Sequence, residues 1–474
     1  MVRKVVADVR QWWATTLPQS PEATAALRRR WDALPASMRV PQQALGRLTV
    51  GCEGTHSVFP RCNLTCSPCY HSSDANKVRT DGAHTLLQVA KQMAYAIAER
   101  GPRAHAQLIG GEVSLLDPDD HAEVLLAMRA HGREPMSFSH GDFTSDYLER
   151  LAVGPDGKPR FKRLSFAIHI DSLMRGRSSH PRPRSEGELH AVRHEVVSRF
   201  RALREQHGVR SFLAHNMTVT PTNLQEVSEV ARVVATAGYG LVSFQPAALV
   251  GDKRRWSPDM RGIDPDDIWR RIEKGVGSPL PYGDVVVGHP ACNRSAFGWM
   301  VGERWVPVVA PGDARDVRAR DTCYAALSGV RVGDTPWHVL AVRLSRVAIR
   351  RPQVLPQAVG WSARAIRRSG GVGAVIRHRP RPLTVVMHMF MDADLAGRAW
   401  EHLTSGASPT TDPELATAVE RLEACAYSMP HPELGRMVPA CVQHAALDPV
   451  VNAELRRQLP LIPVYSDVTE PSDA

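Results

Sequence analysis

The sequence predicts an α/β fold, a parallel sheet with helices packed outside it, and two observations predict it. Short apolar runs alternate with amphipathic stretches between residues 58 and 246, which is the rhythm of repeated βαβ units. The composition, 43% hydrophobic and 23% charged over 474 residues, is that of a globular chain long enough for two or three domains or one large barrel with additions.

Taken in order, residues up to about Leu48 mix apolar and charged positions and read as helices, with Pro41 near their end. A first strand is expected just before Cys62. Further strands are expected at 106–109, 136–139, 164–170, 212–219 and 240–244, with helices at 85–99, 121–131, 190–207 and 223–237 between them. That makes about six β/α units. After Pro246 the rhythm fades, and residues 251–335, rich in Asp, Gly and Pro, read as irregular structure with short elements. An Arg-rich segment follows, then an apolar run at 383–390, a helix from Pro413 to Cys425 and a polar tail after Pro460. The expected regions are therefore 1–51, 52–250, 251–335, 336–382, 383–460 and the tail 461–474.

The net charge of +10 favours an anionic partner. Ten arginines and no acidic residue lie between Trp337 and Leu383, enough to account for the whole excess. Arg343, Arg346 and Arg350 repeat at helical spacing beside Leu340, Leu344 and Val347, and 354–368 repeats the theme around Trp361 and Ile366. A basic face beside an apolar face suits a helix on an anionic membrane surface, its arginines snorkelling to phosphates. A docked helix with a solvated charged face is the competing reading. Nucleic acid is disfavoured, because the segment offers little aromatic interleaving for base stacking.

No secretory signal is read at the N-terminus, where Asp8 and Arg10 interrupt the apolar residues near Trp12 and Trp13. No run of apolar residues is long enough to cross a bilayer. A cytoplasmic chain, peripheral to a membrane at most, is expected. In that reducing setting the eight cysteines are thiols, metal ligands or nucleophiles rather than disulfides. They are unevenly placed. Cys52, Cys62, Cys66 and Cys69 crowd together, while Cys292, Cys323, Cys425 and Cys441 are spread through the second half.

The chemistry points to Cys62-Asn-Leu-Thr-Cys66-Ser-Pro-Cys69. Spacings of four and three residues let one short loop wrap three thiolates around one centre, and soft thiolates select zinc or iron–sulfur over hard cations. Zinc wants a closed tetrahedral set, for which His71 could supply the fourth ligand. A four-iron cluster usually takes four cysteines, so three leave one iron open. Gly110-Gly111-Glu112 stands just after an expected strand, about forty residues beyond the loop. Glycine there lets backbone approach a ligand closely, and a carboxylate suits an ammonium group.

Together the loop and the turn resemble the signature of the radical S-adenosylmethionine (SAM) superfamily. The resemblance implies a partial (β/α)6 TIM-like barrel with N-terminal helices and a C-terminal auxiliary Fe–S region. It implies a [4Fe-4S] cluster on Cys62, Cys66 and Cys69, with SAM chelating the open iron and its amino group meeting Gly110, Gly111 and Glu112. Reductive cleavage of SAM would then give a 5′-deoxyadenosyl radical that abstracts hydrogen from substrate, with a reductase, ferredoxin or flavodoxin as electron donor. Many relatives carry an aromatic residue just before the third cysteine. Here Pro68 stands there and Tyr70 follows the cysteine, which leaves the adenine contact open. Asp171, ending an apolar strand, would accept from the SAM ribose or merely cap a turn. His140, His169 and Asn216 stand at strand ends and would line the pocket, though histidine is often only a satisfied core residue.

Within the superfamily, further segments are similar to tetraether-lipid synthase and its relatives. They are Ile170-Asp171-Ser172 with Arg175-Gly176, Asn223 with Glu226, Phe244-Gln245-Pro246, His289-Pro290 with Cys292, and Met391-Asp392-Ala393 followed by Cys425 and Pro439-Ala440-Cys441. That branch implies carbon–carbon bond formation on a lipid or other hydrophobic substrate. It also implies a second Fe–S cluster drawing on Cys292, Cys323, Cys425 and Cys441. Those relatives carry more cysteines before the SAM loop, where only Cys52 stands here, so Cys52 is expected in the core. The competing readings are a radical SAM methylase or peptide-modifying enzyme, and a non-catalytic zinc or Fe–S protein that binds membrane or RNA.

Overall fold

One eleven-stranded sheet organises the chain. The structure, a computed structural model, describes residues 18–71, 73–102, 104–250, 253–330 and 337–462. The expectations for Trp12, Trp13 and most of the tail lie outside the described residues.

In chain order the elements are α1 (Pro21–Asp32), β1 (Cys52–Gly54), α2 (Gly82–Arg100), β2 (Ala104–Leu108), α3 (Pro118–Ala130), β3 (Arg133–Ser139), α4 (Ser145–Ala152), β4 (Arg163–His169), α5 (His190–His207), β5 (Arg210–Val219), α6 (Val227–Ala237) and β6 (Leu241–Pro246). Then come α7 (Pro265–Val276), β7 (Asn293–Val301), β8 (Arg304–Pro307), α8 (Ala314–Leu327), and three successive helices, α9 (Trp337–Arg350), α10 (Val354–Arg368) and α11 (Val372–His378). The chain closes with β9 (Arg381–His388), α12 (Ala393–Ser405), α13 (Pro413–Glu423), β10 (Tyr427–His431), β11 (Arg436–Pro439) and α14 (Asp448–Gln458). The strand order is β8-β7-β9-β6-β5-β4-β3-β2-β1-β10-β11. From β10 through β1 to β6 and on to β9 every pairing is parallel; β7, β8 and β11 pair antiparallel at the two margins.

The parallel strands are covered on both sides, which is why β4 is buried over nearly its whole length and reads as one apolar run. Helices pack on it through i, i+3 and i+4 faces such as Val192, Val196, Phe200 and Leu203 of α5. Asp117-Pro118, Asp264-Pro265 and Asp412-Pro413 start α3, α7 and α13 alike: the Asp side chain accepts from backbone N–H groups and Pro fills the first turn.

Three expectations need correcting. The first strand lies at Cys52–Gly54, not just before Cys62. Beyond it the Thr55 hydroxyl, bonded to Ile109 N and O, takes the place of ladder bonds, so the chain runs on beside β2 as a loop. Where irregular structure was expected after residue 251, regular elements stand at 265–276, 293–301, 304–307 and 314–327, because α7 is strongly amphipathic and β7 pairs along nearly its whole length with β9. In the N-terminal region α1 is followed only by turns and a 3₁₀ turn after Pro35.

Candidate functional site

The chain segments leaving the C-terminal ends of β1 to β5 carry the chemistry-bearing residues, as βα loops of parallel sheets do. Leaving β1, the chain reaches the cysteine loop. Cys62 N donates to Asn76 Oδ1 at 3.0 Å, and Thr65–Cys66 pairs antiparallel with Met174–Arg175 from beyond β4. The Gly110 turn is stitched to the approach to this loop: Gly111 N donates to Phe59 O at 2.6 Å and Glu112 N to Arg61 O at 2.8 Å. A Cβ on Gly111 would lie 2.1 Å from Arg61 O, so only glycine fits there. From the other side, Tyr70 Oη donates to Gly110 O at 2.7 Å. Burial pushes the Tyr70 phenol well above its ordinary value and keeps that proton in place.

Glu112 is buried, and its carboxylate accepts from Ser114 N, Ser114 Oγ (2.6 Å), Ser139 Oγ (2.8 Å) and His140 N (2.9 Å). It thereby locks the end of β2 to the end of β3. His140 accepts at Nδ1 from Asp142 N, so its Nε2–H faces Asn63 Oδ1 at 2.8 Å, back in the cysteine loop. Motifs about forty residues apart in sequence thus form one hydrogen-bonded unit.

Burial, with the charges of Glu112 and Cys69, pushes the Cys62 thiol up to about 12; burial, Cys69 and Asp171 push Cys66 well up. Thiols held protonated by such surroundings become thiolates when a cationic centre replaces the proton. Among the described residues, His56, His431 and Glu433 form a cluster whose ligand atoms lie within 4.8 Å of one another, and the three cysteines with His71 do not. Three thiols beside an imidazole are soft donors that suit zinc or an iron–sulfur cluster. The His56 group is tied into a network of hydrogen bonds. Its ring nitrogens are engaged by Ser57, Pro430 O, Glu433 and Gln443.

Past β4, the buried Asp171 accepts from His169 Nε2 at 2.6 Å and from Thr218 N and Leu173 N at 3.0 Å. Burial would raise its carboxyl, but His169 and the two N–H groups outweigh it and hold it below the usual range. The same partner holds His169 above its ordinary value against burial. Asn216 pairs with His169 in the β4–β5 register. The residues of the narrower resemblance act as supports. Asn223 Nδ2 donates to Glu186 Oε1 at 3.0 Å, and Glu226 accepts from Glu186 N at 2.7 Å. Glu186, fully buried, also takes Ser172 N and pairs with Arg193. Sequence reading missed Glu186, Arg193 and Arg255. Arg255, in the 3₁₀ turn Lys253–Arg255, places its charge close enough to act on Cys62 and Cys66. No motif marks these three, since their partners are set by the sheet.

Of the second-half cysteines, Cys292, Cys425 and Cys441 come near enough for their charges to act on one another, and Cys323, on α8, does not join them. Arg421 Nε donates to Cys292 Sγ at 3.2 Å and its Nη2 to Met389 O at 2.7 Å. Cys425 Sγ donates to Tyr427 O at 2.8 Å, and Met391 N donates to Cys441 Sγ at 3.5 Å. Burial, with Cys425 and Cys292, pushes Cys441 up to about 12. Cys52, expected in the core, pairs with Tyr427 and is half-buried there; its surroundings push the thiol up to about 11. Beside Arg421 opens a cleft of about 390 Å³, lined by Pro246, Met260, Ile263, Phe390, Met391 and Leu395 among others.

No protein-family model matches the chain, and no curated protein matches it. Among solved structures it is similar to native anSMEcpe with bound AdoMet and Cp18Cys peptide, at 14% identity and TM-score 0.32, covering 48% of this chain and 58% of that one. It is also similar to native anSMEcpe with bound AdoMet, at 14% identity and TM-score 0.31, covering 47% and 57%. The chain spans less than two thirds of those structures, and at such TM-scores the likeness carries no argument; the functional reading rests on the chain's own residues.

Proposed function

We propose that the chain is a radical SAM enzyme. One observation carries the reading: the sheet brings the three-cysteine loop and the Gly110-Gly111-Glu112 turn into one hydrogen-bonded unit at the C-terminal ends of parallel strands. We read the parallel run β1 to β6 as the open barrel of that superfamily. Cys62, Cys66 and Cys69 would hold a [4Fe-4S] cluster. When bound, the cluster and SAM supply an electron and a hydrogen-abstracting deoxyadenosyl group. The chain's own share is placement. Gly111 lets the turn close on the loop, and Tyr70 and Glu112 fix that turn. Asp171, held ionised by His169, offers a carboxylate to the SAM ribose. Cys292, Cys425 and Cys441 would hold a second cluster.

The finer reading is carbon–carbon bond formation on a lipid or other hydrophobic substrate, in the manner of tetraether-lipid synthases. The cleft beside Arg421 has a volume within the usual range for small-molecule sites; its lining sets Met260, Ile263, Phe390 and Leu395 beside the charged Arg261, Asp392, Glu414 and Arg421, so the hydrophobic reading rests on the narrower resemblance.

The test is anaerobic reconstitution with iron and sulfide, then dithionite and SAM, with 5′-deoxyadenosine as readout. Wild type should form it. The Cys62→Ala/Cys66→Ala/Cys69→Ala variant should not, and should lose about four irons while keeping the rest. A fully loaded protein that never cleaves SAM, with or without hydrophobic substrates, would leave a metal-binding protein as the better reading.

A further inference from the structure

The Arg-rich segment folds otherwise than its sequence pattern suggests, and the difference points to a partner. Much of its positive charge is turned inward. Arg343 is buried; Arg364 and Arg368 clamp the fully buried Asp316 of α8, each at 2.7 Å; Arg381 bonds the carbonyls of Tyr239 and Ala235. Trp361 Nε1 donates to Val308 O at 2.8 Å on the same inner side of α10. What faces solvent is largely apolar. Of the sixteen large hydrophobics exposed among the described residues, eight lie between Trp337 and Ile376, including Trp337 (81% exposed), Ile349 (79%), Ile376 (71%) and Val359 (68%). On α10, Leu355, Val359 and Ile366 form one stripe opposite Trp361, Arg364, Ala365 and Arg368. Arg350, Arg367, Arg377 and Arg379 stand exposed around these side chains, with no acidic residue in the segment.

We infer that the outer face of α9, α10 and α11 docks on a lipid bilayer carrying anionic headgroups. A concentrated apolar patch marks an interaction site. The exposed arginines beside it select an anionic partner, and its mostly aliphatic side chains, with Trp337 the one strongly exposed indole among them, select acyl chains over nucleic acid. Docking is peripheral, because no helix among the described residues is long and apolar enough to cross a membrane. The Asp316 clamp ties the platform to the sheet through α8. The inference stands apart from the SAM chemistry.

The experiment is flotation of the full chain with vesicles of phosphatidylcholine alone or with about one third phosphatidylglycerol. Wild type should float with the anionic vesicles and remain largely unbound with the neutral ones. Two variants, Arg350→Gln/Arg367→Gln/Arg377→Gln/Arg379→Gln and Trp337→Ser/Val359→Ser/Ile376→Ser, alter exposed side chains and should keep the wild-type melting temperature. Each should partition at least about tenfold more weakly. The inference is overturned if wild type ignores anionic vesicles or if the apolar variant floats undiminished. It is equally overturned if the apolar variant binds RNA or heparin as wild type does while neither protein floats, or if sedimentation shows a dimer that the apolar variant dissolves.

Discussion

Asp171 and His169 form the pair around which the far wall of the site is built, and its pH behaviour follows from their opposed shifts. His169 lies above its ordinary 6.5 in the folded chain, so its stabilising share is complete below that value and is lost as pH rises through the raised pKa. Asp171 lies below its ordinary 3.8, so its share is present above that value and is lost as pH falls through the depressed one. Stability from the pair is therefore greatest between about 3.8 and 6.5. Melting temperatures measured from pH 6 to pH 9 should fall in wild type by more than in Asp171→Asn, whose curve should be flatter. Equal slopes in the two proteins would mean that the pair does not couple protonation to folding. The individual residues of this site were legible in part. Cys62, Cys66, Cys69 and Glu112 sit in local motifs, whereas Glu186 and Arg255 reach the site from segments that no local pattern connects to it.

At the scale of elements, α8 and the α13–β10 turn divide the second-half cysteines. Cys425 follows α13 directly, Cys441 follows β11, and Cys292 precedes β7, so the sheet margins and Arg421 gather them. Cys323 is borne away on α8. Iron analysis after reconstitution should accordingly be unchanged in Cys323→Ala and lower in Cys292→Ala, Cys425→Ala and Cys441→Ala alike. Loss of iron in the Cys323 variant would argue against the trio. Strand β4 was legible because burial on both faces leaves a nearly continuous apolar run, whereas β2 and β3 alternate buried with more exposed positions and were legible from their place between helices. β1 was not, because it is three residues long and holds Cys52 and Glu53. Helices α9 and α10 were legible as helices, yet their orientation was not. Arginine at helical spacing looks like a solvated face until the buried carboxylate of Asp316 is known to lie beneath it.

Across the whole molecule, Glu53 of β1 and Arg133 of β3 form a fully buried double hydrogen bond at 2.8 and 2.9 Å, spanning β2. Burial pushes the Glu53 carboxyl up, and Arg133 opposes that rise. Arg133→Met should destabilise the chain by about 3–5 kcal/mol, because it strands a buried carboxylate. Glu53→Leu/Arg133→Met should recover most of that loss. Denaturant unfolding of the single and double variants gives the coupling; a double variant no better than Arg133→Met would mean that packing, not charge, decides the cost.

The place of β10 beside β1 sets an order on synthesis. His56, just past β1, meets Pro430 across 374 residues. At roughly 5–20 residues per second on the ribosome, the outer edge of β1 stays bare for about 20–75 s after it emerges. During that interval β1 shows unpaired backbone to any neighbouring nascent chain, and the cysteine loop that follows it waits for the arrival of β10 for its final surroundings.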